Sequence, residues 1–240
     1  MTVTDTRPLR AAVAGLLSFA AAEEQALLAA TADGEEGSPD NWAAAPLVAH
    51  NNQFKAQQAE RIRALRSGQT PPSFAEVDHA SAEVYGGYCA LAAGDVLREC
   101  RSVSAELIDG TWALADGDLL DPARNPWLNG RKLWLQVIVR GFWHPTGHLG
   151  DYYLGHGRPD RAIALQEHAL ATARYLGAPA PAAGLGGYSL ACALARAGQP
   201  EEAAPVLAEA IGANPDLLVN AGRDPDLAAV REEGLVDALR

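Results

Sequence analysis

The sequence predicts an all-α fold on three observations. Alanine recurs throughout, valine and isoleucine are sparse, and no stretch alternates apolar and polar residues with the period of two that a half-buried strand requires. RPLRAAVAGLLSFAAAEEQALLAA opens a first helix over about 7–32. TADGEEGSPDN then forms a breaker-rich loop in which Asp40 or Asn41 can cap the next helix. WAAAPLVAHNNQFKAQQAERIRAL gives that second helix over about 42–66, and SGQTPPSFAEVDHAS, with its double proline, is a long connection. A third helix follows over about 81–115, and DGDLLDPARNPWLNG closes it. The fourth starts near 129 and carries RKLWLQVIVRGFWHPTGHLGDYYLGHG. Four long helices with one or two long connections predict a four-helix bundle.

With 240 residues, 48% hydrophobic and 20% charged, the composition is that of an ordinary globular chain long enough for a substantial core. A formal net charge of -11, with no basic stripe or platform of stacking aromatics, excludes nucleic acid as a partner. The apolar N-terminal run is preceded by Asp5 and closed by Glu23 and Glu24, so it reads as an amphipathic helix rather than a signal peptide. No run reaches the roughly 18–20 apolar residues of a membrane span, and no membrane partner is expected. Cys89, Cys100 and Cys192 are odd in number and contain no CxxC, which argues against a disulfide frame or a cysteine zinc site. Buried packing is expected for all three, in a cytoplasmic protein.

The C-terminal part repeats. LGDYYLGHGRPDRAIALQEHA and LACALARAGQPEEAAPVLAEA align at a constant offset: Leu149 on Leu190, Gly157 on Gly198, Pro159 on Pro200, Ala162 on Ala203 and Ala169 on Ala210. This resembles tetratricopeptide repeats, in which small residues let paired helices approach and a glycine makes the turn between them. Two copies are fewer than the roughly three a free-standing array needs, so the repeats are expected to stack on the bundle. The first repeat's opening helix, about 147–156, is also the end of the fourth bundle helix. The expected domains are therefore 1–156 and 147–240, sharing that segment, with DPDLAAVREEGLVDAL as a terminal cap.

WHPTGHLGDYY sets His144 and His148 four apart, a spacing that puts both imidazoles on one face of a helix. Two ligands make a weak metal site, and His50, in the apolar context APLVAH of the second helix, supplies a third from a facing helix. The alternative for each is a core histidine with a satisfied hydrogen bond. His79, His156 and His168 read as surface or capping residues, with His79 also able to reach the site from its loop.

LVAHNNQFKAQQAERI together with GFWHPTGHLGDYYLGHG resembles the DinB-like, or damage-inducible, superfamily of four-helix metal proteins, over about 7–156. The resemblance implies that His50, His144 and His148 are its three metal positions. It also implies chemistry with a low-molecular-weight thiol, since thiol transferases and isomerases occur in that superfamily. Three histidines leave coordination positions open, as in catalytic sites. Zinc or nickel are the expected ions, and imidazoles alone do not choose between them.

Asn51, Asp151 and Tyr152 are candidate catalytic or supporting groups, with Tyr152 four residues after His148, and Phe54 and Trp143 can line the pocket. Pro145 and Gly147 break the helical pattern between the two histidines, at about 3 and 1 kcal/mol of helix stability. Either the bend aims the imidazoles, with Gly147 making room for a neighbouring helix or a ligand, or it steers the chain into the repeats. Gly141, four residues before Pro145, eases the bend.

The expected function is a metal-dependent enzyme: a thiol transferase, isomerase or hydrolase acting in detoxification of an electrophilic small molecule through an activated thiol or water. The alternatives are a repeat-based protein-binding module and a self-resistance protein that sequesters a reactive metabolite without turnover. A small molecule, and a second copy of the chain as a homodimer, are the expected partners.

Overall fold

Residues 6–31, 35–74, 82–232 and 234 are described in the computed structural model. His79 lies outside them. Apart from an isolated bridge between Ser38 and Asn41, every regular element among the described residues is helical. The chain divides into two compact units, 1–148 and 149–240. The division falls inside a helix, His144–Gly155, within the segment that the sequence assigns to both modules.

The first unit is built on α1 (Arg7–Ala30), α2 (Ala44–Arg66), α3 (Ala82–Gly86), α4 (Ala93–Trp112), α5 (Asp116–Leu120), two single 3-10 turns and α6 (Leu133–Ile138). A π-helical turn, Val139–Trp143, then leads into α7 (His144–Gly155). Helix α2 packs on α4, α1 packs on α4, and the π turn touches both α1 and α2.

Helix α1 starts with Pro8 in its first turn, where a missing N–H costs nothing. It buries Val13, Leu16, Leu17, Ala20, Leu27 and Leu28, a helical stripe. By length and composition this helix is apolar enough to cross a membrane, contrary to the sequence reading, but half of its most apolar window is covered by the fold. Glu24 on its inner face is fully buried and paired with Lys55 of α2 at 2.6 Å. Arg10 donates to the carbonyls of Thr111 (2.7 Å) and Leu114 (2.8 Å) and pairs with Asp116, so one guanidinium satisfies carbonyls at the end of α4 that the helix leaves open.

Two boundary expectations fail for local reasons. The start of α2 is not capped by Asp40 or Asn41. Asn41 is engaged with Ser38 through paired backbone hydrogen bonds, and the Ala44 N–H instead donates to the Glu35 carboxylate at 2.6 Å. The expected third helix is interrupted at Gly86 and Gly87, whose backbone freedom disfavours a helix interior, giving α3, a turn, and α4. Cys89 falls on that turn and is exposed, and Cys192 is half-buried, so only Cys100 is the buried thiol expected of all three.

In the second unit the tail of α7 is followed by α8 (Pro159–Tyr175), α9 (Ala180–Arg196), α10 (Pro200–Ala213), α11 (Leu217–Ala221) and α12 (Ala228–Glu232), with α8 on α9 and α9 on α10. The internal repeat is visible in the backbone. Gly157 and Gly198 take positive φ (68° and 80°), and the residues that follow them, Arg158 (φ -119°, ψ 57°) and Gln199 (φ -120°, ψ 56°), are nearly superposable. Pro159 and Pro200 then open their helices, and the aligned alanines 162 and 203 are both fully buried where helices meet.

Candidate metal centre

His50 is on α2, and His144 and His148 are on α7 immediately after the π turn. Their ring centroids lie 5.3 Å (His50 to His144), 5.2 Å (His50 to His148) and 4.4 Å (His144 to His148) apart. One nitrogen from each falls within 4.8 Å of the other two, so the group can hold a metal ion. Nitrogens at about 2.0–2.1 Å from a tetrahedral zinc stand roughly 3.4 Å apart, about an ångström inside the 4.8 Å within which these atoms already lie. His50 is buried and the α7 pair is half-buried.

The approach to this geometry is set by the backbone. The His144 N–H donates to the carbonyl of Val139, five residues back, which is the bond of a π turn. Pro145 has no N–H to continue the ladder, and the Thr146 hydroxyl donates to the carbonyl of Phe142 at 2.9 Å. The close approach belongs to Gly141 rather than Gly147: a Cβ at Gly141 would stand 2.2 Å from Leu17 and 2.8 Å from Leu107. Among the described residues a Cβ at Gly147 would meet no atom within 4 Å, so no described helix packs against it, and of the two expected occupants of that space, a neighbouring helix or a ligand, the helix is not the one found. The glycine facing the packed helices is the one inside the π turn.

Aromatic rings wall the histidines. Phe54, one turn after His50, lies 4.9 Å from its ring and 4.3 Å from that of His144. Trp42 and Tyr88 stand 5.5 and 5.8 Å from His50, and Tyr85 packs on Trp42. Burial and the nearby Glu99 carboxylate push the Tyr88 phenol above its ordinary value, so it stays protonated at neutral pH and donates to Gln53. Arg140 lies over the Phe54 ring at 4.7 Å.

Of the other candidates, Asn51 is fully buried beside His50, and neither polar atom of its amide has a hydrogen-bond partner among the described residues. Such a group costs about 1–3 kcal/mol unless a ligand or a water satisfies it. Phe54 is in the wall, and Trp143 is half-buried. Asp151 and Tyr152 belong to the second unit: Asp151 is ion-paired with Arg196, and Tyr152 stacks on His156 at 4.0 Å. His156 also bonds the Tyr152 carbonyl at the end of α7, and His168 is exposed on α8.

Trp42, Tyr85 and Tyr88 are not among the site residues expected from the sequence. Placing Tyr85 and Tyr88 inside a continuous third helix hid them, although YGGY marks the break. Arg140 was legible as the residue one turn before His144.

In the second unit Cys192, Asp224 and Asp226 also lie together. Tyr188 donates to Asp224 at 2.7 Å, and Arg196 stands 3.6 Å from Asp226, so these carboxylates already have protein partners.

No family model, curated protein or solved structure matches the chain.

Proposed function

We propose that this chain is a metal-dependent enzyme of the DinB-like kind, in which His50, His144 and His148 hold one divalent ion, zinc or nickel, and the reaction joins, isomerises or hydrolyses an electrophilic small molecule. The observation that carries this reading is the convergence of three imidazoles from two helices to within 4.8 Å. Three neutral nitrogen ligands suit a borderline divalent ion and leave coordination positions open, which is the arrangement of catalytic rather than closed structural sites. When bound, such an ion lowers the pKa of a thiol or a water and so supplies a nucleophile at neutral pH.

The chain's own residues then do the rest. His50 is held by its burial among Trp42, Phe54 and Tyr88, so little rotamer freedom is left to lose on binding. The same rings cover the site on the His50 side, where electrostatic interactions are less screened than in open water. Asn51 offers an amide donor and acceptor to a nucleophile or substrate oxygen, and Tyr88, kept protonated, offers no competing anion. In this reading the protein works in the cytoplasm on a small molecule.

The test is turnover. The full chain loaded with zinc or nickel is mixed with a panel of low-molecular-weight thiols and electrophiles, and thiol loss and product mass are followed. Metal-dependent turnover that disappears in His144→Ala supports the enzyme. Stable binding of the electrophile without turnover across the panel points to sequestration instead.

A further inference from the structure

Glycine inside a helix has three ordinary causes: a positive φ, a backbone approached closely by another element, or a backbone approached closely by a ligand. The glycines around the histidine pair separate these causes. Gly150 is explained by the second, because a Cβ there would stand 2.8 Å from the amide nitrogen of Gln166. So is Gly141 in the π turn, where a Cβ would run into Leu17 and Leu107. Gly147 is explained by neither of the first two. It does not take positive φ, and a Cβ on it would meet no atom of the described residues within 4 Å. Alanine, a much stronger helix former, would serve the helix better at that point.

The position of Gly147 relative to the histidines gives the third cause its content. At about 100° per residue, Gly147 lies roughly 60° to one side of His144 and Pro145 about 100° to the other. Pro145 is buried, whereas Trp143, His144, Gly147 and His148, spaced i, i+1, i+4 and i+5, are all half-buried. The imidazole pair thus stands at the edge of a partly open stripe of the helix, with Gly147 on its open side. The His50 side is closed. His50 itself is 2% exposed, and the rings of Trp42, Phe54 and Tyr88 pack around it. A ligand coming to an ion held by the three histidines therefore arrives from the α7 side, and the side chain missing at 147 is one that would stand beside its path.

We infer that Gly147 is a specificity-determining residue: the absence of a side chain there lets the body of a low-molecular-weight thiol lie against the α7 backbone while its sulfur reaches the ion. The bulk of residue 147 then limits the size of thiol admitted. Binding forms one sulfur–metal bond, displaces water and releases the thiol proton to solvent. This inference rests on the metal reading proposed above and adds to it where the body of the thiol lies and what restricts it. The experiment separates the two.

The full chain is loaded with cobalt(II), whose charge-transfer absorption with a thiolate reports the sulfur–metal bond, and is titrated with 2-mercaptoethanol and with the bulkier glutathione. Cobalt content and melting temperature are measured on the same samples. Both thiols should bind the unsubstituted protein. Gly147→Leu should weaken glutathione about tenfold or more while 2-mercaptoethanol stays within about threefold, and Gly147→Ala should fall between. Both variants should keep their cobalt and melt at an equal or higher temperature, since alanine and leucine are better helix formers than glycine. Unchanged glutathione binding in Gly147→Leu, an equal loss of both thiols, or a loss of cobalt or of thermal stability in that variant overturns the assignment of Gly147. An unsubstituted protein that binds cobalt but not glutathione also overturns it, and leaves the metal reading standing. A protein that takes up no cobalt removes the metal reading, and the assignment of Gly147 with it.

Discussion

His144 and His148 face each other with ring centroids 4.4 Å apart and planes nearly perpendicular at 87°, although Pro145 and Gly147 stand between them in the chain. The helix tolerates both because the irregularity is absorbed one turn earlier, where the His144 N–H reaches back to Val139. Replacing Pro145 by alanine supplies a backbone donor and removes a helix cost of up to about 3 kcal/mol. The apoprotein should melt at an equal or higher temperature. If the bend aims His144, zinc affinity should fall roughly tenfold, the scale of effect seen when the support of a ligand is disturbed. Unaltered affinity would mean that the proline serves only the path into the repeats.

The two glycines beside this site should respond in opposite ways. Gly141→Ala drives a methyl into Leu17 and Leu107 and should destabilise the fold by about 1–3 kcal/mol. Gly147→Ala meets no atom of the described residues and should be neutral or stabilising by up to about 1 kcal/mol. Chemical denaturation of the apoproteins checks both. Similar losses in the two variants would contradict the packing described here.

What the sequence disclosed and what it hid follow from the range of the physics involved. Helical periodicity and spacing are local, so α1, α2, the HxxxH face and the repeated Gly-x-Pro turns were readable, as was the group of His50, His144 and His148 that can hold a metal. The break at Gly86 and Gly87 was equally local, but the alanines and the amphipathic run after it favoured one long helix. Other features depend on contacts that helical periodicity does not encode. Trp42 and Tyr88 meet at His50 only after folding, Glu35 displaces Asp40 and Asn41 as the partner of α2, and Gly141 matters because Leu17 and Leu107 arrive beside it. The sequence shows the residue types at these points, but not which surfaces will meet.

The pair Glu24 and Lys55 is an ion pair almost wholly removed from water. Lys55→Met leaves the Glu24 carboxylate buried and unpaired, and it should cost about 3–5 kcal/mol of stability. The double variant Glu24→Leu with Lys55→Met should recover most of that loss, because two apolar side chains avoid the desolvation of two charges. Urea denaturation of the single and double variants measures the difference. A double variant no more stable than the single one would contradict this account.

Thiol reactivity should separate the three cysteines. Cys89 is exposed, whereas burial and the Glu24 carboxylate push the Cys100 thiol up to about 11, and burial with the nearby aspartates pushes Cys192 up as well. A raised value means less thiolate at pH 8, so one thiol, Cys89, should react quickly with iodoacetamide while the native protein keeps the other two. Mass spectrometry of the labelled peptides reads the order. Rapid labelling of Cys100 in folded protein would contradict its place between Glu24 and Lys55.

The most direct test is elemental analysis of the full chain purified without an affinity column that could donate nickel. About one divalent ion per chain is expected, lost or strongly reduced in each of His50→Ala, His144→Ala and His148→Ala while the helical content is retained, since a site of three protein ligands does not survive the loss of one. Wild-type protein that takes up no zinc or nickel even when it is supplied, or three variants that keep full occupancy, would contradict it.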